Sequence, residues 1–302
     1  MNFDPNQIRL TTLYGFFEDN AGQNPRHLQI PIAPNVQQEL QATLRETINK
    51  LGLPASAARM PRFQPAEKYA SEEAVKLPLD VDYLEELRRV VALRNHPSDA
   101  NALNAVAELV YYYAIFVDGA GNMLHAFRRA SQFKGILRSR LAFIDGGMLT
   151  MSTRPTFRLD ADFDYIVDTD TAFILRPSGF EFTTNVHTQV LAAAVANATT
   201  IQAAATFLDL SAVGRYASTH ARSARLLAVI RSRDDLHLVS RNLLASACRN
   251  YGIAIQNPRS GLLCPDAGHE YDFLCILDRR AYIAKLITNQ PERYEAASRT
   301  QR

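Results

Sequence analysis

Apolar residues recur at helical spacing in the first hundred residues. The clearest pattern begins after Pro34, ends before Gly52, and contains Val36, Leu40, Leu44, Ile48 and Leu51. A second helix is predicted from about Asp80 to the residues before His96-Pro97, and a third after Ser98. Four prolines between Pro54 and Pro78 indicate a linker between the first two helices. The pattern therefore predicts a mainly helical N-terminal domain of residues 1–105.

The pattern changes to strands in the middle of the chain. Aromatic and aliphatic runs flank turn sequences at Asp118-Gly119, Asp145-Gly146-Gly147 and Asp168-Thr169-Asp170. The predicted strands cover residues 111–117, 123–128, 163–167, 171–175 and, much later, 271–277. Helices are predicted from Pro177 to Gly252. Residues 106–302 are thus expected to form an α+β domain in which an antiparallel strand meander is backed by helices.

One uncharged stretch is long enough to test as a membrane span. Residues 186–208 contain no Lys, Arg, Asp or Glu. They are rich in alanine and include His187, Asn197 and Gln202, which weakens any insertion signal. Packed helices are the prediction for this stretch.

Composition indicates a globular chain in a reducing compartment. Of 302 residues, 47% are hydrophobic and 21% are charged, which suffices for a buried core. The three cysteines have no disulfide or zinc spacing, and the start of the sequence has no secretory signal. A cytoplasmic location is expected. The net charge of +2 does not by itself indicate a nucleic-acid partner, so any such surface must come from local clustering.

Charges are sorted by sign in the middle of the chain. Residues 119–144 carry five basic residues and no acid, namely Arg128, Arg129, Lys134, Arg138 and Arg140. Residues 160–170 carry five acids and no base. A basic block of this kind can attract a polyanion.

The acidic block contains three alternating carboxylates, Asp160, Asp162 and Asp164. Their spacing resembles the start of a calcium loop, but Tyr165 replaces the required glycine and Thr171 the final acid. On a strand the three would share one face, and a solvated edge that discourages strand pairing is the preferred interpretation. No metal site is predicted.

A second basic cluster follows Ser211. Residues 215–249 contain seven arginines and two acids. On one continuous helix, Arg215, Arg222 and Arg233 would project within about 20° of one another, and Arg225 lies between them in sequence. Such a row could follow phosphates without reading bases. A solvated face of an ordinary amphipathic helix is the alternative, although acids at i+4 are absent.

Motifs for catalysis and for cofactors are missing. The chain has no phosphate-binding GxxxxGK[ST], no GxSxG and no histidine pair at metal-ligand spacing. No catalytic residue and no cofactor is predicted. The enzymatic alternative is a metal-dependent nuclease whose site is assembled from distant carboxylates such as Asp160, Asp164, Asp272 and Asp278.

Several short sequences resemble the KwaB family of the Kiwa antiphage-defence system. They are Phe127-Arg128-Arg129, Asp162-Phe163-Asp164-Tyr165-Ile166, Ile174-Leu175-Arg176-Pro177-Ser178-Gly179-Phe180-Glu181, the run from Asp272 to Tyr282, and Tyr294-Glu295-Ala296. The resemblance covers the chain from about residue 106 to its end. It implies a cytosolic bacterial defence protein that binds DNA, blocks phage replication and is recruited to the membrane by a small multi-span protein of the KwaA type.

Two functional hypotheses therefore stand. The first is a non-catalytic DNA-binding defence protein, with the nine basic residues Arg128, Arg129, Lys134, Arg138, Arg140, Arg215, Arg222, Arg225 and Arg233 as candidate phosphate contacts. The second is the nuclease. The sequence does not decide whether the chain forms a homo-oligomer.

Overall fold

The computed structural model describes residues 2–18, 25–67, 69, 73–92, 108–130, 142–145, 148–151, 159–256, 261–284 and 292–296. The chain divides into two compact units. Unit 1 comprises Met1–Arg62 and Ala70–Thr184, and unit 2 comprises Phe63–Tyr69 and Asn185–Arg302. A domain boundary near residue 105 is predicted from the sequence, whereas strands from both sides of that position share one sheet in unit 1.

Unit 1 is built on an antiparallel sheet. The strands of this unit are β1 (Ile8–Phe17), β2 (Arg26–Ile30), β3 (Val75–Pro78), β4 (Leu109–Asp118), β5 (Met123–Arg129), β6 (Ala142–Asp145), β7 (Met148–Met151), β8 (Tyr165–Asp168) and β9 (Thr171–Ile174). Seven of them form one sheet in the order β2-β1-β4-β5-β8-β9-β3, and β6 pairs with β7 separately. The expected α+β class with an antiparallel sheet is confirmed.

Two predicted hairpins form the centre of this sheet. In the first, the Asp118 carboxylate accepts hydrogen bonds from the backbone N–H groups of Ala120 and Asn122, which closes the turn between β4 and β5. In the second, Asp168 pairs with Thr171 and joins β8 to β9. Strands β5 and β8 lie side by side, so the end of β5 meets the start of β8.

Helices cover the sheet of unit 1. They are α1 (Pro34–Leu51), α2 (Glu85–Ala92), which follows a 3₁₀ turn, and α3 (Pro177–Thr183). Helix α1 buries the predicted apolar face, and Gly52 ends it in the left-handed conformation with φ of 66°. Its buried residues share a core with Tyr112 of β4 and with Phe163, which precedes β8. The third predicted helix, after Ser98, lies outside the described residues as far as residue 107. Its expected extension to Val110 is wrong, because Val110 belongs to β4.

Unit 2 is mainly helical. Its helices are α4 (Val186–Ala192), α5 (Ala194–Ala204), α6 (Ser211–Ala217), α7 (Ala221–Arg231), α8 (Arg241–Asn250) and α9 (Glu270–Leu277). Two short antiparallel pairs complete it, β10 (Ile255–Gln256) with β11 (Cys264–Pro265), and β12 (Ala281–Ala284) with β13 (Glu292–Glu295). The uncharged alanine-rich stretch forms packed helices as predicted. In the described part of the chain, no helix combines the length and apolarity that crossing a bilayer requires.

The predicted strand at 271–277 is wrong, because this segment is helix α9. A short apolar run fits either a buried strand or a buried helix, and periodicity alone does not separate them. Glu270 and Asp272 lie in the first helical turn, where carboxylates interact favourably with the helix dipole. Phe273, Leu274 and Leu277 are buried.

Candidate functional site

The three alternating aspartates belong to a buried ion cluster in unit 1. Asp162 is 3% exposed and Asp164 is 2% exposed, and both precede β8 rather than lie on a strand. The prediction of a solvated strand edge is therefore wrong. The carboxylates can be buried because cations from distant parts of the chain neutralise them. We call Lys50, Arg128, Arg176, Asp160, Asp162 and Asp164 the ion cluster.

Arg128, at the end of β5, contacts all three carboxylates. Its Nε donates to Asp160 Oδ2 at 3.0 Å and its Nη1 to Asp164 Oδ1 at 2.5 Å. The same Nη1 lies 3.7 Å from Asp162 Oδ1. The Arg128 side chain is only 16% exposed. It is committed to these contacts, and a phosphate would have to compete with them.

Asp162 is held by two further cations. The Arg176 guanidinium binds both of its oxygens, with Nη2 at 2.9 Å from Oδ2, and Lys50 Nζ from α1 donates to Oδ2 at 2.8 Å. Burial alone would raise the pKa of Asp162, but the hydrogen bonds from Arg176 and Lys50 outweigh it and lower the pKa to about 2. Asp162 is thus ionised at neutral pH.

Asp164 lies deepest and is enclosed by backbone. Its Oδ2 accepts the N–H of Arg129 at 2.7 Å, and its own carbonyl accepts the N–H groups of Leu175 and Arg176. Burial raises the pKa of Asp164, although Arg128 acts in the opposite direction. Gly179 of α3 packs directly against the carboxylate, since a Cβ there would stand 2.3 Å from Asp164 Cγ. Only glycine fits this contact without movement.

Three of the motifs that carry the family resemblance meet at this cluster. The β5 end supplies Arg128 and Arg129, the approach to β8 supplies Asp162 and Asp164, and the segment before α3 supplies Arg176, with Gly179 behind it. Three cations balance three carboxylates. The cluster therefore joins α1, β5 and the start of α3 as an internal tie, and it carries no unpaired nucleophile or base.

Three of the four carboxylates proposed for a nuclease are bonded to arginines. Asp160 and Asp164 share Arg128, and Asp278 is fully buried with Arg280 Nε at 2.6 Å from its Oδ2. Asp272 is exposed on α9. Throughout the described ranges, no group of His, Cys, Asp or Glu is arranged to hold a metal ion.

The remaining members of the first basic cluster have different positions. Arg129 is exposed, and its guanidinium carbon lies 3.8 Å from the centre of the Phe182 ring, which is a cation–π contact. Lys134, Arg138 and Arg140 lie outside the described residues. Of the described pair, Arg129 presents its charge to solvent, whereas Arg128 lies in the ion cluster.

The arginines of the second cluster do not share one helix. Helix α6 ends at Ala217, α7 begins at Ala221, and α7 ends at Arg231. The predicted alignment of Arg215, Arg222 and Arg233 along one helix face is therefore wrong. The segment between Ala217 and Ala221 interrupts the helical geometry on which the projection depends, and Arg233 follows the end of α7.

Two of these arginines serve the packing of unit 2. The Arg233 side chain is 4% exposed, with Nε 2.8 Å from Asp235 Oδ1 and Nη1 2.5 Å from the Leu277 carbonyl. Arg225 donates from Nη1 to the Pro65 carbonyl at 2.6 Å. Their hydrogen bonds explain their presence without a ligand.

Arg215 and Arg222 instead flank an exposed turn. We call residues 215–222 the α6–α7 turn, because they span the last part of α6 and the first part of α7. Both arginines are exposed. Between them, the rings of Tyr216 and His220 are stacked, with centroids 3.8 Å apart and planes 10° apart. This pair is not among the sequence predictions, although aromatic residues at positions i and i+4 are the signal that could have found it.

Asp209 interacts electrostatically with Arg215 of this turn. Its pKa is lowered mainly by the hydrogen bond from the backbone N–H of Ser211, and the positive charge of Arg215 contributes in the same direction. No other acid occurs between residues 210 and 233. Within residues 209–233, Asp209 is thus the single acid, and the α6–α7 turn carries the two exposed arginines Arg215 and Arg222.

No protein-family model, curated protein sequence or solved structure matches this chain.

Proposed function

We propose that this chain is the DNA-binding component of a Kiwa-like bacterial antiphage system, and that it acts in the cytoplasm with a KwaA-type membrane partner. The observation that carries the DNA-binding part is the pair of exposed arginines at the α6–α7 turn. Among the described residues, neither Arg215 nor Arg222 forms an ion pair. Guanidinium groups without a carboxylate partner are suited to bind phosphate.

The charge pattern around the turn supports this proposal. Five arginines and no acid lie between Asp209 and Asp234. The two at the turn, Arg215 and Arg222, face solvent and do not take part in the packing of unit 2. Contacts of this kind neutralise phosphates irrespective of the bases. The DNA binding is therefore largely independent of sequence.

The resemblance supports the defence role and the partner. The ion cluster gives three of the resembling sequences a structural role. This agrees with the resemblance, which implies no catalytic residue. No specific observation favours the nuclease, because Asp160, Asp164 and Asp278 are already bonded to arginines. The proposal is accordingly a non-catalytic one.

The DNA part is tested with the variant R215Q/R222Q and a labelled DNA duplex. The control R9Q/R59Q removes the same charge from exposed arginines of unit 1. Each lost phosphate contact should reduce the slope of log affinity against log salt by about 0.9. Fluorescence anisotropy at several salt concentrations should show weaker binding and a flatter slope for the turn variant only.

Equal affinity and equal salt slope for wild type and R215Q/R222Q would overturn this assignment. An equal loss in the R9Q/R59Q control would show that net charge, rather than the turn, determines binding.

The partner is tested by co-expression with a small multi-span protein encoded beside this chain. Expressed alone, the chain should be found in the soluble fraction, and with the partner it should sediment with the membranes. Resistance to carbonate extraction of the chain expressed alone would contradict this. Phage plating should fall only when both proteins are present. Full protection by either protein alone would contradict the two-component proposal.

A further inference from the structure

We propose that the α6–α7 turn recognises an unpaired base, so that the preferred ligand is single-stranded DNA. This inference rests on the proposed DNA-binding function and specifies its substrate class. Its basis is the combination of an exposed stacked ring pair with the two exposed arginines on either side of it. Charge alone would attract any nucleic acid, whereas an open ring face selects bases that have no stacking partner.

The imidazole of His220 provides that open face. One side of the ring is covered by Tyr216, which is half-buried, and His220 itself is exposed. The uncovered side of the imidazole therefore faces solvent. A base that stacks there would extend the Tyr216–His220 stack by one ring, and base stacking on aromatic side chains tolerates any base.

The platform is already ordered before a ligand arrives. His220 Nδ1 lies 2.7 Å from the Tyr216 carbonyl oxygen and 3.0 Å from Thr219 Oγ1. The backbone N–H of His220 donates to the Ala217 carbonyl at 3.1 Å. These bonds fix the ring in the turn, so binding does not have to immobilise it.

The arginines complete the fit to a single strand. Arg215 directly precedes Tyr216, and Arg222 follows His220 by one intervening residue, so cations bracket the stacked rings in the chain. Phosphates on both sides of a stacked base would meet a guanidinium. In a duplex the bases stack on one another and are paired, so the ring platform gains nothing and only the phosphate contacts remain.

The test compares oligothymidylate, a fully abasic strand and a duplex of equal length by fluorescence anisotropy. His220→Ala should bind oligothymidylate about tenfold more weakly than wild type, which converts to about 1.4 kcal/mol for one stacked base. Its affinity for the duplex and the abasic strand should change by less than about twofold, as expected for a surface substitution.

Two further substitutions separate stacking from other effects. His220→Phe keeps a ring but loses the Nδ1 contact, and it should retain binding of oligothymidylate. His220→Leu fills similar space without a ring, and it should behave like the alanine variant. His237→Ala, at another exposed histidine of unit 2, should change nothing. Circular dichroism melting of each variant confirms that it is folded.

The possible failures are distinct. If His220→Ala weakens oligothymidylate, abasic strand and duplex equally, the base platform is refuted and the DNA-binding function stands. The same conclusion follows if His220→Ala changes nothing while R215Q/R222Q weakens every ligand. If wild type binds none of the three, both the platform and the proposed function are refuted.

Discussion

Substitution of Gly179 by alanine is expected to destabilise unit 1 through a single contact. The added Cβ would stand 2.3 Å from both Cγ and Oδ2 of Asp164. Asp164 cannot move away freely, because Arg128 Nη1 and the Arg129 backbone N–H hold its two oxygens. The methyl group must therefore either displace the carboxylate from Arg128 or push α3 away from it.

The size of the effect follows from two opposing contributions. Removing one partner from a buried ion pair costs about 3–5 kcal/mol. Alanine, however, favours the helical conformation over glycine by about 1 kcal/mol. The free energy of unfolding should consequently fall by roughly 2–4 kcal/mol. Urea unfolding measured by far-UV circular dichroism is suited to this chain, which contains no tryptophan.

Two comparisons make the measurement specific. Gly119→Ala is the matched control, because the nearest atom to its Cβ is Oε1 of Gln7 at 3.1 Å, the end of a flexible side chain. In the background Asp164→Gly the Asp164 Cβ, Cγ and Oδ2 are all absent and the clash no longer exists, so adding Gly179→Ala should cost nothing further. Wild-type stability in Gly179→Ala, or additive losses in the double variant, would refute the reasoning.

Three other predictions concern the ion cluster and Arg233. Because the pKa of Asp162 is lowered to about 2, its contribution to stability is present at neutral pH and is lost as pH falls towards that value. Wild type should thus lose more stability than Asp162→Asn between about pH 5 and 2 in urea titrations, and parallel losses would contradict this. Arg233→Met should reduce the free energy of unfolding by about 1–3 kcal/mol, since Asp235 and the Leu277 carbonyl lose a donor. The folded variant should bind DNA with unchanged affinity. A loss of DNA affinity without a loss of stability would place Arg233 at the interface. Calcium or magnesium should leave the wild-type melting temperature unchanged, because the cluster carboxylates are bonded to cations; a rise that disappears in the Asp160, Asp162 and Asp164 triple asparagine variant would indicate a metal site.

Local signals in the sequence identified several elements with accurate bounds. Helix α1 was predicted because a start signal at Pro34, an apolar stripe and the glycine at 52 all agree. The β4–β5 and β8–β9 hairpins followed from turn residues between apolar runs. Strands β1 and β2 were not predicted.

Long-range contacts account for what the sequence did not show. Lys50, which binds the Asp162 carboxylate, lies 112 positions from it in sequence. No local pattern therefore reveals that Asp162 is paired and buried. The clustering of arginines in the sequence marked them as candidate phosphate contacts. Only the structure shows that Arg215 and Arg222 are exposed whereas the Arg233 side chain is buried.

The ion cluster has a consequence for how this protein can change over evolutionary time. Residues 131–158 are bounded by Arg128 and Arg129 on one side and by Asp160 and Asp164 on the other, and these residues bind each other directly. The ends of the segment are therefore held together by contacts outside it. Between two fixed ends, doubling the length of a flexible chain segment adds only about 0.6 kcal/mol of closure entropy. Insertions, exchanges or a fused domain can enter here while the sheet keeps its register, which makes this stretch the natural place for lineages to diverge.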